Sequence, residues 1–307
     1  MLRHLYPLYY LVIPLLIAFI LVSCQKEINI KSMNYDKKLV IEGYIENGQV
    51  PIVMISRSVP YFDKITLNTL MTDVLVTDAV VTVTSSDGDS EQLQLGLCDD
   101  SPVYVAYTGN TLRGEVGKKY HLKVEWKGKT YTAETSIVTP PQIDSIWLHS
   151  LGTDDTTRII RTTATDDPNS RDYYIFQVKV HNRKWHDNAW VCSSPISIDD
   201  ATFNGMTLNY DIIRAAPSTI FTANLNDTER RDRLRYEYIP GDTIYTRSCK
   251  IDEESFQFWS AMNFEILIGS NPFMSSAPVP CNIHGENVLG NWCGFASVRH
   301  TFYYTKE

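Results

Sequence analysis

The chain has 307 residues, six cysteines and a formal net charge of −8 at pH 7. Hydrophobic residues make up 43% and aromatics 11%, which excludes a disordered chain and leaves room for the packed cores of one large or two ordinary domains. The acidic balance argues against a broad surface for nucleic acid or anionic lipid, which needs a clustered basic face.

Arg3 and His4 are followed by an apolar run from 5 to 22, LYPLYYLVIPLLIAFILV. About 18 apolar residues just suffice to span a bilayer. Pro14, however, removes a helical hydrogen bond in mid-run, and the run stops at Leu21-Val22-Ser23-Cys24. A basic start, an apolar centre and small residues before a cut follow the plan of a secretory signal. The last four residues resemble the bacterial lipoprotein signal, in which cleavage leaves cysteine as the new first residue and its sulfur takes lipid. Ser23 supplies the small residue and Cys24 the nucleophilic thiol. Residues 1–23 are read as signal peptide and 24–37 as a flexible tether. Two or more acyl chains anchor a protein stably where one does not. Gln25, Lys26 and Glu27 resemble the short export tag of surface lipoproteins of Bacteroidota, the alternative being an ordinary polar tether.

The following residues read as strands almost throughout. KLVIEGYIEN (38–47) and PIVMISRSV (51–59) are β-branched and aromatic runs. AVVTVTSS (79–86) alternates, and DGD (87–89) is a hairpin turn before EQLQL. KYHLKVEW (119–126) alternates strictly, with Tyr120, Leu122, Val124 and Trp126 on one side and His121, Lys123 and Glu125 on the other. Lys127-Gly128 turns the chain into KTYTAETS. Residues 38–140 therefore predict an Ig-like, antiparallel sandwich.

TPPQIDS (139–145) marks a boundary, since two prolines stiffen the link. Beyond it, RIIRTTAT (158–165), DYYIFQVKV (172–180), TLNYDIIR (207–214), STIFTANL (218–225) and RYEYIPGDTIYTR (235–247) read as strands. DEESFQFWSAMNFEILIGSNPF (252–273) breaks the pattern. It offers an Asp N-cap, acids in the first turn, apolar residues at Phe256, Trp259, Met262, Ile266 and Leu267, and stop signals at Gly269 and Pro272. The spacing predicts a helix over about 252–269, packed on the sheet of a second β-rich domain, 141–307. The fold class is all-β: two antiparallel sandwich-like domains, the second with one helix near the C-terminus.

With Cys24 spent on lipid, five cysteines remain. Cys281 and Cys293 bracket a loop that a disulfide could close, and Cys192 and Cys249 are a second possible pair, leaving Cys98. No CxxC occurs, and His181 and His186 in HNRKWH have no joint-ligation spacing, so neither a metal site nor a cofactor is expected. TDDPNS (165–170) and DGD (87–89) gather oxygens that calcium could use, but Asp-Pro and Asp-Gly are turn formers and neither stretch has full calcium-loop spacing. P-loop, dinucleotide and G-x-S-x-G fingerprints are absent. The candidate ligand contacts are Trp185 and Trp190 in KWHDNAW (184–190). Exposed indoles stack on sugars or anchor protein contacts; the alternative is that they cap a core.

The lipoprotein start, KLVIEGYIENG, the hairpin YHLKVEWKGKTYTAETSI before PPQIDSI, DPNSRDYYIFQVKV, and above all NPFMSSAPVPCNIHGENVLGNWCGFASV (271–298) together resemble one family. It is the lipoprotein family known as domain of unknown function 4249, and the likeness spans nearly all of the chain after the leader. Asn271, Pro272, Phe273, Pro278, Asn282, Ile283, Gly290 and Gly294 carry its most specific part. NWC (291–293) departs from the family's usual Gly-Phe ending, which bears on the local loop conformation. The resemblance implies an outer-membrane lipoprotein, often encoded near TonB-dependent transporters, and no catalytic residues. The expected function is thus a non-enzymatic accessory binding protein, lipid-anchored in the outer membrane, facing the cell surface and partnered with a TonB-dependent transporter. The alternatives are a structural or assembly factor of the envelope, and an unrecognised hydrolase.

Overall fold

In the computed structural model of the chain, residues 36–60, 66–101, 103–150, 157–181, 190–214, 237–268 and 278–305 are described. The chain divides into one unit of Met1–Asp36 with Pro60–Asp63, of which only Asp36 and Pro60 are described, and one of Lys37–Val59 with Lys64–Glu307. The second holds every element below.

The alternating stretches become strands with the expected faces. KYHLKVEW is β7 (Lys119–Trp126), with Tyr120, Leu122 and Val124 buried and the charged residues between them exposed. Lys127 and Gly128, both at positive φ, turn it tightly into β8 (Lys129–Ser136). The other strands of the first half are β1 (Leu39–Glu46), β2 (Ile52–Arg57), β3 (Val80–Ser85), β4 (Ser90–Gln92), β5 (Gln94–Leu97) and β6 (Val105–Thr108). The second half supplies β9 (Gln142–His149), β10 (Ile159–Thr165), β11 (Tyr173–His181), β12 (Val191–Asp199), β13 (Thr207–Ile212), β14 (Thr243–Ile251) and β15 (Val288–Tyr303). The helix α1 runs Glu253–Ile268. Asp252 caps it, accepting from the Ser255 N–H at 3.0 Å.

The protein is all-β with one C-terminal helix. An eight-stranded sheet has the order β12-β11-β14-β15-β1-β2-β6-β5. One of its faces carries two smaller sheets. β4-β3-β7-β8 closes a core of Ile41, Ile45, Val53, Tyr120, Leu122 and Trp292. β13-β10-β9 closes another of Ile160, Tyr174, Phe176, Val178, Ile212 and Ile244. The four-stranded sheet comes wholly from residues 38–140 and the three-stranded sheet wholly from 141–307. The eight-stranded sheet draws four strands from each. Helix α1 lies on its opposite face, where Phe256 stacks on Tyr173 at 4.6 Å. Phe256 and Trp259 pack there as expected, whereas Ile266, expected on the same packed side, is 63% exposed.

Several elements differ from expectation. RYEYIPGDTIYTR is split by a turn at 240–242, and β14 begins only at Thr243. The Pro-Pro link ends at Gln142, where β9 starts. STIFTANL lies outside the described residues. Asn291-Trp292-Cys293 forms no loop; it is regular strand inside β15.

β15 joins the halves. Its first eight residues pair in parallel with β1, Leu39↔Val288 to Glu46↔Phe295, and from Ala296 onward it pairs antiparallel with β14. Along the stretch paired with β1, its other edge is bonded by side chains at Trp292 and Gly294, as buried backbone requires. Asn282 brackets Trp292, accepting its N–H at 2.9 Å and donating to its carbonyl at 2.8 Å. Thr135 Oγ1 accepts the Gly294 N–H at 2.7 Å. Gly290 has φ +129°, and a Cβ there would overlap the Ile41 carbonyl.

Candidate functional site

DYYIFQVKV places alternate side chains on opposite faces of β11. Tyr173 and Ile175 face α1, while Tyr174, Phe176 and Val178 face the three-stranded sheet. Between that face and β10–β13 lies a cavity of about 240 Å³. Its wall is mostly aromatic and aliphatic, with Tyr174, Phe176, Phe203, Tyr210, Leu208 and Ile212, and Thr165, Ser193, Asn209 and Asp211 add polar groups. Phe203 tilts against Tyr174 at 6.0 Å between centroids, and Tyr210 against Phe176 at 4.9 Å. Met206, 52% exposed, lies at the mouth.

One end of the cavity is acidic. Asp166 lines it, and Asp172 and Asp200 stand behind, one carboxylate oxygen of each lying within 4.8 Å of the others. All three are buried, and they come from different strand ends: Asp166 after β10, Asp172 before β11, Asp200 after β12. Asp166 accepts from the Tyr174 hydroxyl and from the Gly205 N–H at 2.8 Å. Gly205 sits at φ +74°, in a turn where a Cβ would press on Pro168. Asp200 accepts the Asp172 N–H at 2.8 Å. Lys250 on β14, opposite Tyr174, donates to Asp172, which also accepts from Ser170 at 3.0 Å. Burial, the bond to Asp166 and the three carboxylate charges push the Tyr174 hydroxyl far up, and burial alone does the same to Tyr210. Both stay protonated and neutral. The acidic trio could hold a cation, and the Lys250 ammonium already contacts it.

A second polar cluster lies on the α1 face. Glu46, fully buried, accepts from Arg247 at 3.0 Å, from Arg299 at 2.6 and 2.5 Å, and from Ser297. Arg247 also donates to Gln177 Oε1 at 2.5 Å. Its guanidinium lies among three rings, 4.5 Å from Trp190, 4.7 Å from Tyr44 and 4.6 Å from Phe295. Burial pushes Glu46 up, but the bond from Arg299, the charges of Arg247 and Arg299 and the Ser297 bond outweigh it and hold the carboxyl below its ordinary 4.5. Burial raises Tyr44 to about 12 against the opposing charge of Arg247.

These two clusters place the residues singled out from sequence. Trp190 is half-buried and covers Arg247 and Arg299, so its ring face is occupied by protein. Trp185, Ser23, Cys24, Gln25, Lys26 and Glu27 lie outside the described residues. The acidic stretch TDDPNS splits its roles. Asp167 closes a turn by accepting the Asn169 N–H at 2.9 Å, while Asp166 faces the cavity. Asp172 and Asp200 carried no sequence signal, because only the fold brings them to Asp166.

The two disulfides expected from spacing are not formed; Cys98, Cys192, Cys249, Cys281 and Cys293 are all free. Cys281 packs with Trp292 on one face of β15 and Cys293 packs on the other. Cys192 and Cys249 sit on strands separated by β11, so two spacings of about 4.8 Å divide them, beyond the roughly 7 Å Cα reach of a disulfide. Alkylation of unfolded, unreduced protein is therefore expected to modify all five thiols. In the native protein Cys249 and Cys293 should resist, being buried with thiols pushed up chiefly by that burial. Intact-mass spectra counting the adducts check both statements.

No curated protein matches the sequence. A family model, described as "Domain of unknown function (DUF4249)", matches residues 25–300, from the residue after Cys24 to the end region of β15. The chain, with its shared eight-stranded sheet and its β15 closure, belongs to the DUF4249 family.

Proposed function

We propose that this protein is a lipid-anchored binding protein of the outer membrane, displayed at the cell surface, that holds a small ligand for a TonB-dependent transporter. The observation that carries the binding role is the mostly apolar, aromatic-lined cavity with Asp166 at one end. A concave, mostly apolar site with a few placed polar groups is the common form of a small-ligand pocket. The anchor rests on Leu21-Val22-Ser23-Cys24, directly ahead of the family match at residue 25. The transporter rests on the setting that the family resemblance implies.

Metabolic labelling with a palmitate analogue is expected to tag the wild-type protein and to miss Cys24→Ala. Cross-linking on intact cells, followed by purification, is expected to recover a TonB-dependent transporter. An unlabelled wild-type protein would remove the anchor. A labelled protein recovered without any transporter would remove the partnership.

A further inference from the structure

We propose that the cavity selects a small organic cation, an ammonium group joined to an apolar or aromatic body, with the charge at Asp166 and the body against Tyr174, Phe176, Phe203 and Tyr210. The inference rests on the cavity being a ligand site, and it adds the chemistry of the ligand.

Charge is the first argument. Asp166, Asp172 and Asp200 bring three formal negative charges to one buried place, and Lys250 brings one positive charge. Arg161 and Arg171 are both paired with other carboxylates. Arg161 grips Asp211 through two bonds, at 2.7 and 2.9 Å, and Arg171 pairs with Asp199. The three carboxylates and Lys250 together carry a formal charge of −2. Buried charge is costly unless compensated, and a cation entering from the cavity supplies the compensation.

Acceptor capacity is the second. An ionised carboxylate offers about four lone-pair positions. The described donors to Asp166 are two, the Tyr174 hydroxyl and the Gly205 N–H. Tyr174 and Gly205 also hold the carboxylate in place, so it meets a ligand pre-oriented.

The walls are the third. Four rings line the cavity, and aromatic rings attract ammonium groups, while Ile198, Leu208 and Ile212 favour hydrocarbon. A sugar or a nucleotide would bury more hydroxyls than the few polar groups of a mostly apolar wall can pair. A carboxylate or phosphate ligand would meet Asp166 with like charge.

The test uses the mature, lipid-anchored protein in mild detergent. Isothermal titration compares 2-phenylethylammonium, 2-phenylethanol and phenylacetate, which share ring and chain but carry positive, zero and negative charge. The expected result is that the ammonium binds about tenfold or more tightly than the alcohol, that phenylacetate does not bind, and that Asp166→Asn abolishes the preference. Met206→Lys changes only the exposed mouth and leaves the buried network in place. It is expected to weaken the ammonium severalfold and to leave the alcohol unchanged. Equal binding of ammonium and alcohol by the wild type would overturn the cation inference while sustaining the cavity as a ligand site. Binding of none of the three would overturn both.

Discussion

Glu46→Gln is expected to cost about 3–5 kcal/mol of unfolding free energy, the usual cost of removing one partner from a buried ion pair. Glu46 is fully buried and holds the guanidinium groups of both Arg247 and Arg299. The amide keeps the shape but loses the charge, and its NH2 meets arginine donors where an acceptor stood. Arg247 is then a buried cation with three rings and one glutamine for company. Chemical denaturation measures the loss. The double variant Glu46→Gln/Arg247→Met is expected to lose less than the two singles added together, because removing both charges removes the orphan. The pH dependence follows from the same carboxylate. Its folded pKa lies below the ordinary 4.5, so its contribution is complete above that value and disappears as pH falls through the folded one. The stability gap between wild type and Glu46→Gln should therefore be constant near neutrality and narrow below about pH 4.5. A gap that stayed open in acid would show that the carboxylate's charge is not the source.

Gly290→Ala is expected to destabilise by more than about 4 kcal/mol, in the exceptional range for a single methyl group. Two penalties add there. The residue holds φ +129°, which side chains rarely adopt, and the new Cβ would fall on the backbone carbonyl of Ile41. Backbone cannot swing aside as a side chain would, so the start of β15 must separate from β1. Thermal unfolding of the variant checks this. Gly128→Ala, also at positive φ but in open space, is the control and should lose about 1 kcal/mol. A variant at 290 no worse than the one at 128 would show that the parallel junction tolerates displacement.

The contrast between legible and hidden parts follows from solvent. β7 could be read because one face meets water, so charge alternates with apolar residues. The helix could be read because Asp252 and the acids after it mark its start. β15 could not be read in this way. Residues 290–297 are buried without a break, covered on one side by the core around Trp292 and on the other by α1 and Arg247, so no period appears. Its glycines, which look like loop residues, are where backbones come close. β12 was hidden for another reason. VCSSPISID carries a proline and few strand formers, and it lies at the sheet edge, where proline is tolerated. The site was harder still. Asp166 was visible as one oxygen donor in a turn, but Asp172 and Asp200 join it only through the ends of three strands. The cysteine spacings misled because they measure separation along the chain and not which face of a strand each thiol occupies.

The placement of β15 also sets a timetable. A ribosome releases the N-terminal residues first, yet β1 waits for a neighbour made long after it. Asn47 and Ser297, hydrogen-bonded to each other, are 250 residues apart. Until that segment arrives, β1 and β14 both present bare backbone, the kind of edge that recruits stray strands. Contacts of such long range place the chain among slow folders. The nascent protein is therefore exposed to aggregation until β15 has been made, and a truncation before residue 288 would leave it in that state permanently.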